Sequence, residues 1–86
     1  MRSILLVNAF REFGMENQII LSCEDLIGNL RINDKIKFND QISLKVINLE
    51  CSYHSINISI DLSEINDNVE FKLFDYYRKR LLIFND

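Results

Sequence analysis

"INISIDL", residues Ile56–Leu62, alternates apolar and polar side chains without interruption. In an extended chain successive side chains point to opposite faces, so Ile56, Ile58, Ile60 and Leu62 share one face and Asn57, Ser59 and Asp61 the other. A helix would scatter these isoleucines around its axis. The stretch therefore reads as a strand with one buried and one wet face, and the chain around it follows the same grammar.

Val69, Phe71 and Leu73 alternate with Glu70 and Lys72, and Gln41 to Leu49 carries Ile42, Leu44 and Val46 on one side before the phase breaks at Ile47 and Leu49. That break predicts a bulge, or a strand covered on both faces. Ile4 to Phe10, Gln18 to Ser22, Ile36 to Phe38 and Leu81 to Phe84 complete a set of short strands rich in β-branched and aromatic residues. A helix over the C-terminal region would expose apolar residues on every side, so that region is read as strand, turn, strand. The expected fold is all-β, a small antiparallel closed barrel of about six or seven strands, built as a single domain over residues 1–86.

With no proline and only two glycines, Gly14 and Gly28, the turns need other residues. Asn-Asp occurs at Asn33-Asp34, Asn39-Asp40, Asn66-Asp67 and Asn85-Asp86, each time after an apolar residue. Asn accepts a positive φ more readily than other non-glycine residues, and short polar side chains cap backbone amides that a turn leaves free. The pairs are read as turn punctuation, against the alternative that an Asn- and Ile-rich chain produces them by chance.

Composition supports one globular domain, with 48% hydrophobic and 27% charged residues. The formal charge of −3 opposes long-range attraction to nucleic acid or to an acidic membrane. The apolar run Ile4-Leu5-Leu6-Val7 is too short for a secretory core, and no run approaches the roughly 20 residues of a membrane helix. The reading is a cytoplasmic protein without membrane association. Cys23 and Cys51, far apart and with His54 as the only histidine, do not make a zinc site. Both are expected as reduced thiols serving as small apolar residues.

Several segments carry a family resemblance. Gly28 with Leu30-Arg31-Ile32-Asn33-Asp34-Lys35-Ile36 resembles "G-x-L-x-V-G-D-x-V" of the β-barrel domain that follows the GTPase domain in elongation factor Tu and related translation factors. Val7 to Phe13 is similar to that domain's first strand, Val46 to Glu50 to its "V-x-x-I-E", Asn66 to Leu73 to its "G-D-N-V-G-F-x-V" and Arg80 to Asp86 to its closing strand. Asn stands for the family's glycine at positions 33 and 66, and no GxxxxGK[ST] motif is present. The resemblance implies the barrel without GTP hydrolysis. In the family the barrel contacts its GTPase domain, charged tRNA or the ribosome, and those contacts do not map onto individual residues of this chain.

Among candidate sites, Tyr76-Tyr77-Arg78-Lys79-Arg80 combines stacking rings with phosphate-neutralising cations, the pairing used by single-strand binders. Its plainer reading is a solvated hairpin tip. His54 beside Cys51 lacks a visible orienting group and is read as a surface histidine. Glu24-Asp25 and Asp61, Glu64 and Asp67 are read as solvated loop acids. No catalytic residue, cofactor or metal is expected. The expected function is a non-enzymatic module for protein-protein interaction, with a protein partner or a second copy of the chain engaged through unpaired strand edges. An RNA- or ribosome-associated module using Tyr76 to Arg80 is the alternative.

Overall fold

The computed structural model describes residues 1–11, 13–14, 16–63, 65 and 72–85. Six strands appear in chain order: β1 Arg2–Phe10, β2 Gln18–Ile27, β3 Lys35–Lys37, β4 Ser43–Cys51, β5 Ile56–Asp61 and β6 Arg80–Phe84. They close into an antiparallel barrel in the order β1-β2-β5-β4-β3-β6. The all-β expectation holds, with six strands. The opening stretch is β5, whose Ile58 and Ile60 are fully buried while Ile56 packs at the margin of the core.

The phase break in β4 is a bulge. Val46 faces Ile60 and Asn48 faces Ser59, leaving Ile47 as the extra residue. A matching shift in β1 leaves Val7 extra between the Leu6–Cys23 and Asn8–Ser22 pairs. In both bulges an asparagine caps the strand locally. The Ala9 N–H donates to Asn8 Oδ1 at 2.8 Å, and the Leu49 N–H donates to Asn48 Oδ1 at 2.9 Å.

These twin bulges belong to an internal two-fold relation that takes β1, β2 and β3 onto β4, β5 and β6. β1 pairs with β2 and β6 as β4 pairs with β5 and β3. The relation extends into the loops. Leu6 exchanges backbone bonds with Arg78 (2.7 Å) and Lys79 (3.1 Å), and its counterpart Val46 does the same with Asn33 (2.9 Å) and Asp34 (2.8 Å). Asn33 and Arg78 occupy matching left-handed conformations, with φ of 79° and 66°. Leu21 maps onto Ile58 and Lys37 onto Leu82, and each of these is also a cross-strand pair. The two-fold axis thus passes through opposite walls of the barrel, β2–β5 and β3–β6.

The core follows the same symmetry. Ile4 and Leu44, Leu6 and Val46, Leu21 and Ile58, and Ile36 and Leu81 are all buried. Each such side chain contributes about 1.5 to 3 kcal/mol of transfer free energy.

Several expectations need correction. Of the expected strand Val69 to Leu73, residues 69–71 lie outside the described residues, and Leu73 opens a 3-10 turn, Leu73–Tyr76. The segment after it is not a hairpin tip, because β6 is already flanked on its two sides by β1 and β3. Glu24, Asp25 and Asp61 lie in strands β2 and β5, not in loops, while Glu64 and Asp67 fall outside the described residues. Closure gives each of the six strands two hydrogen-bonded neighbours, so among the described residues no whole strand forms an open edge for strand addition.

The Asn-Asp turns divide by mechanism. Asn33 uses positive φ, as its glycine-like position requires. Asn39 instead accepts the Gln41 and Ile42 N–H groups through Oδ1, at 2.8 and 2.9 Å. The pair at 66–67 and residue 86 lie outside the described residues.

Candidate functional site

Strand order sorts the charges. β2 and β5, adjacent on one wall, contain Glu24, Asp25 and Asp61 and no cation. β3 and β6, adjacent on the opposite wall, contain Lys35, Lys37 and Arg80 and no carboxylate. On this second wall buried Ile36, Leu81 and Ile83 alternate with Lys35, Lys37, Arg80, Leu82 and Phe84, which turn outward. Lys37 stands beside Leu82, and Lys35 beside Phe84. The wall therefore presents a cationic strand next to one with an apolar outer end.

Two grooves flank the Lys37–Leu82 pair. One, of about 460 Å³, is lined by Met1, Arg2, Lys37, Asp40, Ser43, Leu82, Ile83 and Phe84. The other, of about 330 Å³, is lined by Lys37, Phe38, Asn39, Tyr76, Lys79, Arg80, Leu81 and Leu82. Part of the charge is locally balanced. Lys37 Nζ lies 3.5 Å from Asp40 Oδ1, and the guanidinium of Arg80 pairs with Asp25. Arg80 also donates to the Ser3 hydroxyl and to the Asp25 carbonyl, at 3.1 and 2.9 Å.

The segment Tyr76 to Arg80 enters β6 along the second groove. Its five side chains do not form one platform. The ring of Tyr76 meets Phe38 edge-on at 5.4 Å and its hydroxyl accepts from Asn39 Nδ2 at 2.9 Å. Tyr77 packs against the core, and its hydroxyl accepts the Ala9 N–H at 3.2 Å. Arg78, Lys79 and Arg80 are all exposed, and of these Arg80 is held by Asp25. Sequence reasoning missed Lys35, Lys37, Leu82 and Phe84. Their period-two spacing marks outward positions, but only the strand order brings them together.

The opposite wall carries a smaller groove of about 150 Å³, lined by Phe10, Gln18, Ile20, Asn48, Glu50, Asn57 and Ser59. Phe10 stands beside Ile20 across β1 and β2, and Glu50 beside Asn57 across β4 and β5. Asp61, at one end of this wall, is held below the usual carboxylate range, first by the Ser63 N–H at 2.9 Å and more weakly by the field of Lys45.

Asp34 is a different kind of acid. It is only 1% exposed, and its Oδ2 accepts from Arg2 Nη1 at 2.7 Å and from the Arg31 N–H at 2.9 Å, while Oδ1 has no partner. Burial pushes its pKa up, but the Arg2 bond, the Arg31 amide and both guanidinium charges outweigh it and leave the group below its ordinary value. Asp34 anchors the turn ahead of β3 rather than an interaction surface.

Both cysteines are free thiols. Cys23 is an apolar core residue whose pKa burial pushes up to about 12. Cys51, contrary to expectation, is exposed at the end of β4. His54 lies in the exposed turn that follows, with its ring edge-on to Tyr53 at 4.4 Å. Among the described residues no three His, Cys, Asp or Glu side chains cluster as a metal site requires. No helix among them is long and apolar enough to cross a membrane. No protein-family profile, curated protein or solved structure matches the chain.

Proposed function

We propose that the chain is a non-enzymatic binding module, a translation-factor-like β-barrel, that engages a protein partner through its β3–β6 wall. The observation that carries this reading is the outward row of Lys35 and Lys37 beside Leu82 and Phe84, with a groove on either side. Apolar side chains next to cations suit a protein surface that offers both apolar contact and carboxylates. The left-handed Asn33 at the position of the family's glycine supports the translation-factor likeness. Photocrosslinking tests the interface. A photoreactive residue at position 82 should yield a protein adduct in host extract that survives nuclease treatment. Labelling no stronger than from position 52 in the β4–β5 turn, or loss of the adduct on nuclease treatment, would overturn the proposal.

The second reading, an RNA- or ribosome-associated module, is favoured by the exposed Arg78 and Lys79 beside β6. It lacks a stacking platform, because both tyrosine rings and hydroxyls have intramolecular partners. Its test is single-stranded RNA binding that weakens steeply between about 50 and 200 mM salt and is abolished by charge reversal at Arg78 and Arg80.

A further inference from the structure

We infer that the β2–β5 wall carries a binding site for an uncharged oligosaccharide, with one sugar ring seated in the groove between Phe10 and Glu50. The site is independent of the proposed role of the β3–β6 wall. The first ground is unspent hydrogen-bonding capacity. Gln18, Glu50, Asn57 and Ser59 line the groove, and among the described residues none of these side chains has a protein partner. Asn48 accepts the Leu49 N–H through Oδ1 and has no partner among them for its Nδ2 donors. The groove thus offers amide donors, amide acceptors, a hydroxyl and a carboxylate, a mixture that suits ligand hydroxyls able both to donate and to accept. Such hydroxyls replace hydrating water bond for bond.

The second ground is the division of the groove. The internal two-fold relation exchanges the neighbours Phe10 and Ile20 with the neighbours Glu50 and Asn57, and all of these residues line the one groove. Matched positions in the core are apolar in both halves, but here one half is apolar and the other polar. A sugar ring has the same two characters, a C–H face that packs against an aromatic ring and a rim of hydroxyls. The third ground is charge and size. Glu50 is the only charged residue of the lining, so phosphate, sulfate and carboxylate groups find no counterion there, and nucleic acid finds no phosphate contact. At about 150 Å³ the groove lies below the roughly 300 to 1,000 Å³ of sites for drug-sized molecules and suits one ring. Neighbouring rings of a sugar chain have their own platforms. Phe13 follows Phe10 at the same interval as Tyr53 follows Glu50, and the two exposed aromatics stand on the hairpin tips at opposite ends of the wall.

Titration of the isotopically labelled full chain with cellohexaose, laminarihexaose and maltohexaose, followed by backbone amide shifts, tests the inference. Glucose is the unit chosen because its equatorial hydroxyls leave apolar ring faces. At least one hexamer should shift the amides of residues 18–20, 48–50 and 57–59 and bind more tightly than free glucose by about tenfold or more. Its affinity should hold between about 50 and 500 mM salt, because no ion pair is formed. Phe10→Ala and Glu50→Ala should each weaken binding by about tenfold, through the lost ring contact and the lost charge-assisted bonds. Asn57→Leu, which keeps the size and removes the amide, should weaken it by about fivefold. Amide spectra of the free variants report their folding, and Leu82→Ser on the opposite wall should leave affinity unchanged. No groove shifts with any hexamer at about 10 mM, or groove variants that bind as the wild type does, would overturn the inference. So would shifts of the same amides by single-stranded RNA or by an unstructured peptide but by no hexamer. If position 82 fails to crosslink while a hexamer still binds, the β3–β6 reading falls and the sugar site stands.

Discussion

At Asn33-Asp34 and at Arg78-Lys79 the backbone makes the same turn with different side chains. Both turns exchange two backbone bonds with a bulged strand, at Val46 and at Leu6, and both begin with a left-handed residue. In the first, Asp34 turns inward and holds Arg2 and the Arg31 amide. In the second, Lys79 is exposed, and the position matching Arg2 is the buried Ile42. The comparison teaches that backbone exchange fixes the geometry. The side chains are then free to diverge, toward a buried ion pair on one side and toward surface charge on the other.

Removing each acid or cation in turn separates the two roles, and the largest effect belongs to Asp34. Asp34→Ala leaves the Arg31 N–H without its acceptor and Arg2 with only its longer bonds to Asn29, and opens a small void. Because Arg2 is 26% exposed and can rehydrate, the cost should be about 2 to 3 kcal/mol rather than the full penalty of a buried charge. Lys79→Ala should change stability by less than about 0.5 kcal/mol. Urea unfolding of both variants checks the pair. Equal losses would show that the two turns are not divided in this way.

The pH dependence follows from the same group. Asp34 is held below its ordinary value of 3.8, so folding binds fewer protons than unfolding in the acid range. Its stabilisation is full above that value and is lost as pH falls through the folded-state pKa. Asp61 is lowered as well and contributes in the same direction. Stability should therefore fall below about pH 4, and Asp34→Asn should flatten the slope while leaving the part due to Asp61. Denaturant midpoints measured between about pH 2 and 6 give the slope. An unchanged slope in Asp34→Asn would remove the ion pair as its source.

Gly28 sharpens the comparison at the next scale. Its φ is 84°, and a Cβ there would come within 2.7 Å of Arg2 Cγ. Gly28→Ala should cost about 1 to 2 kcal/mol, from backbone strain and from pushing Arg2 off Asp34. In an Arg2→Ala background only the backbone part remains, so the double-mutant cycle should show coupling. Strict additivity would mean that Arg2 accommodates the methyl without leaving Asp34.

How much of this was legible depends on the range of the signal. β5 could be read from Ile56 to Asp61 alone, because one face of a barrel strand is always buried and the period-two pattern records it. The bulge at Ile47 was legible as a phase break. The sequence signal for β2 ends at Ser22 because Glu24-Asp25 resembles a turn, yet Asp25 is in a strand and pairs with Arg80, 55 residues away. The Arg2–Asp34 pair is hidden for the same reason. The two-fold relation is faint in the sequence because identity survives at few matched positions, among them Ser3 and Ser43, Asn8 and Asn48, Ile19 and Ile56, and Ser22 and Ser59. The candidate site suffered most. Tyr76 and Tyr77 looked like a platform until packing placed their rings inward, and the opposed charges of the walls are a product of strand order, which no local pattern contains.

The smallest effect divides the turns by residue type. Asn33 and Arg78 hold nearly the same left-handed conformation, but Asn tolerates it through its short polar side chain and Arg does not. Arg78→Gly removes Cβ strain of about 1 kcal/mol or more and gives back part of it as unfolded-chain entropy, for a net gain of about 0.5 kcal/mol. Asn33→Gly relieves less strain for the same entropic cost, so it should be neutral or slightly destabilising. Thermal unfolding of the two single variants reads the difference directly. A gain at Asn33 equal to that at Arg78 would mean that the strain belongs to the shared backbone turn, whichever side chain sits there.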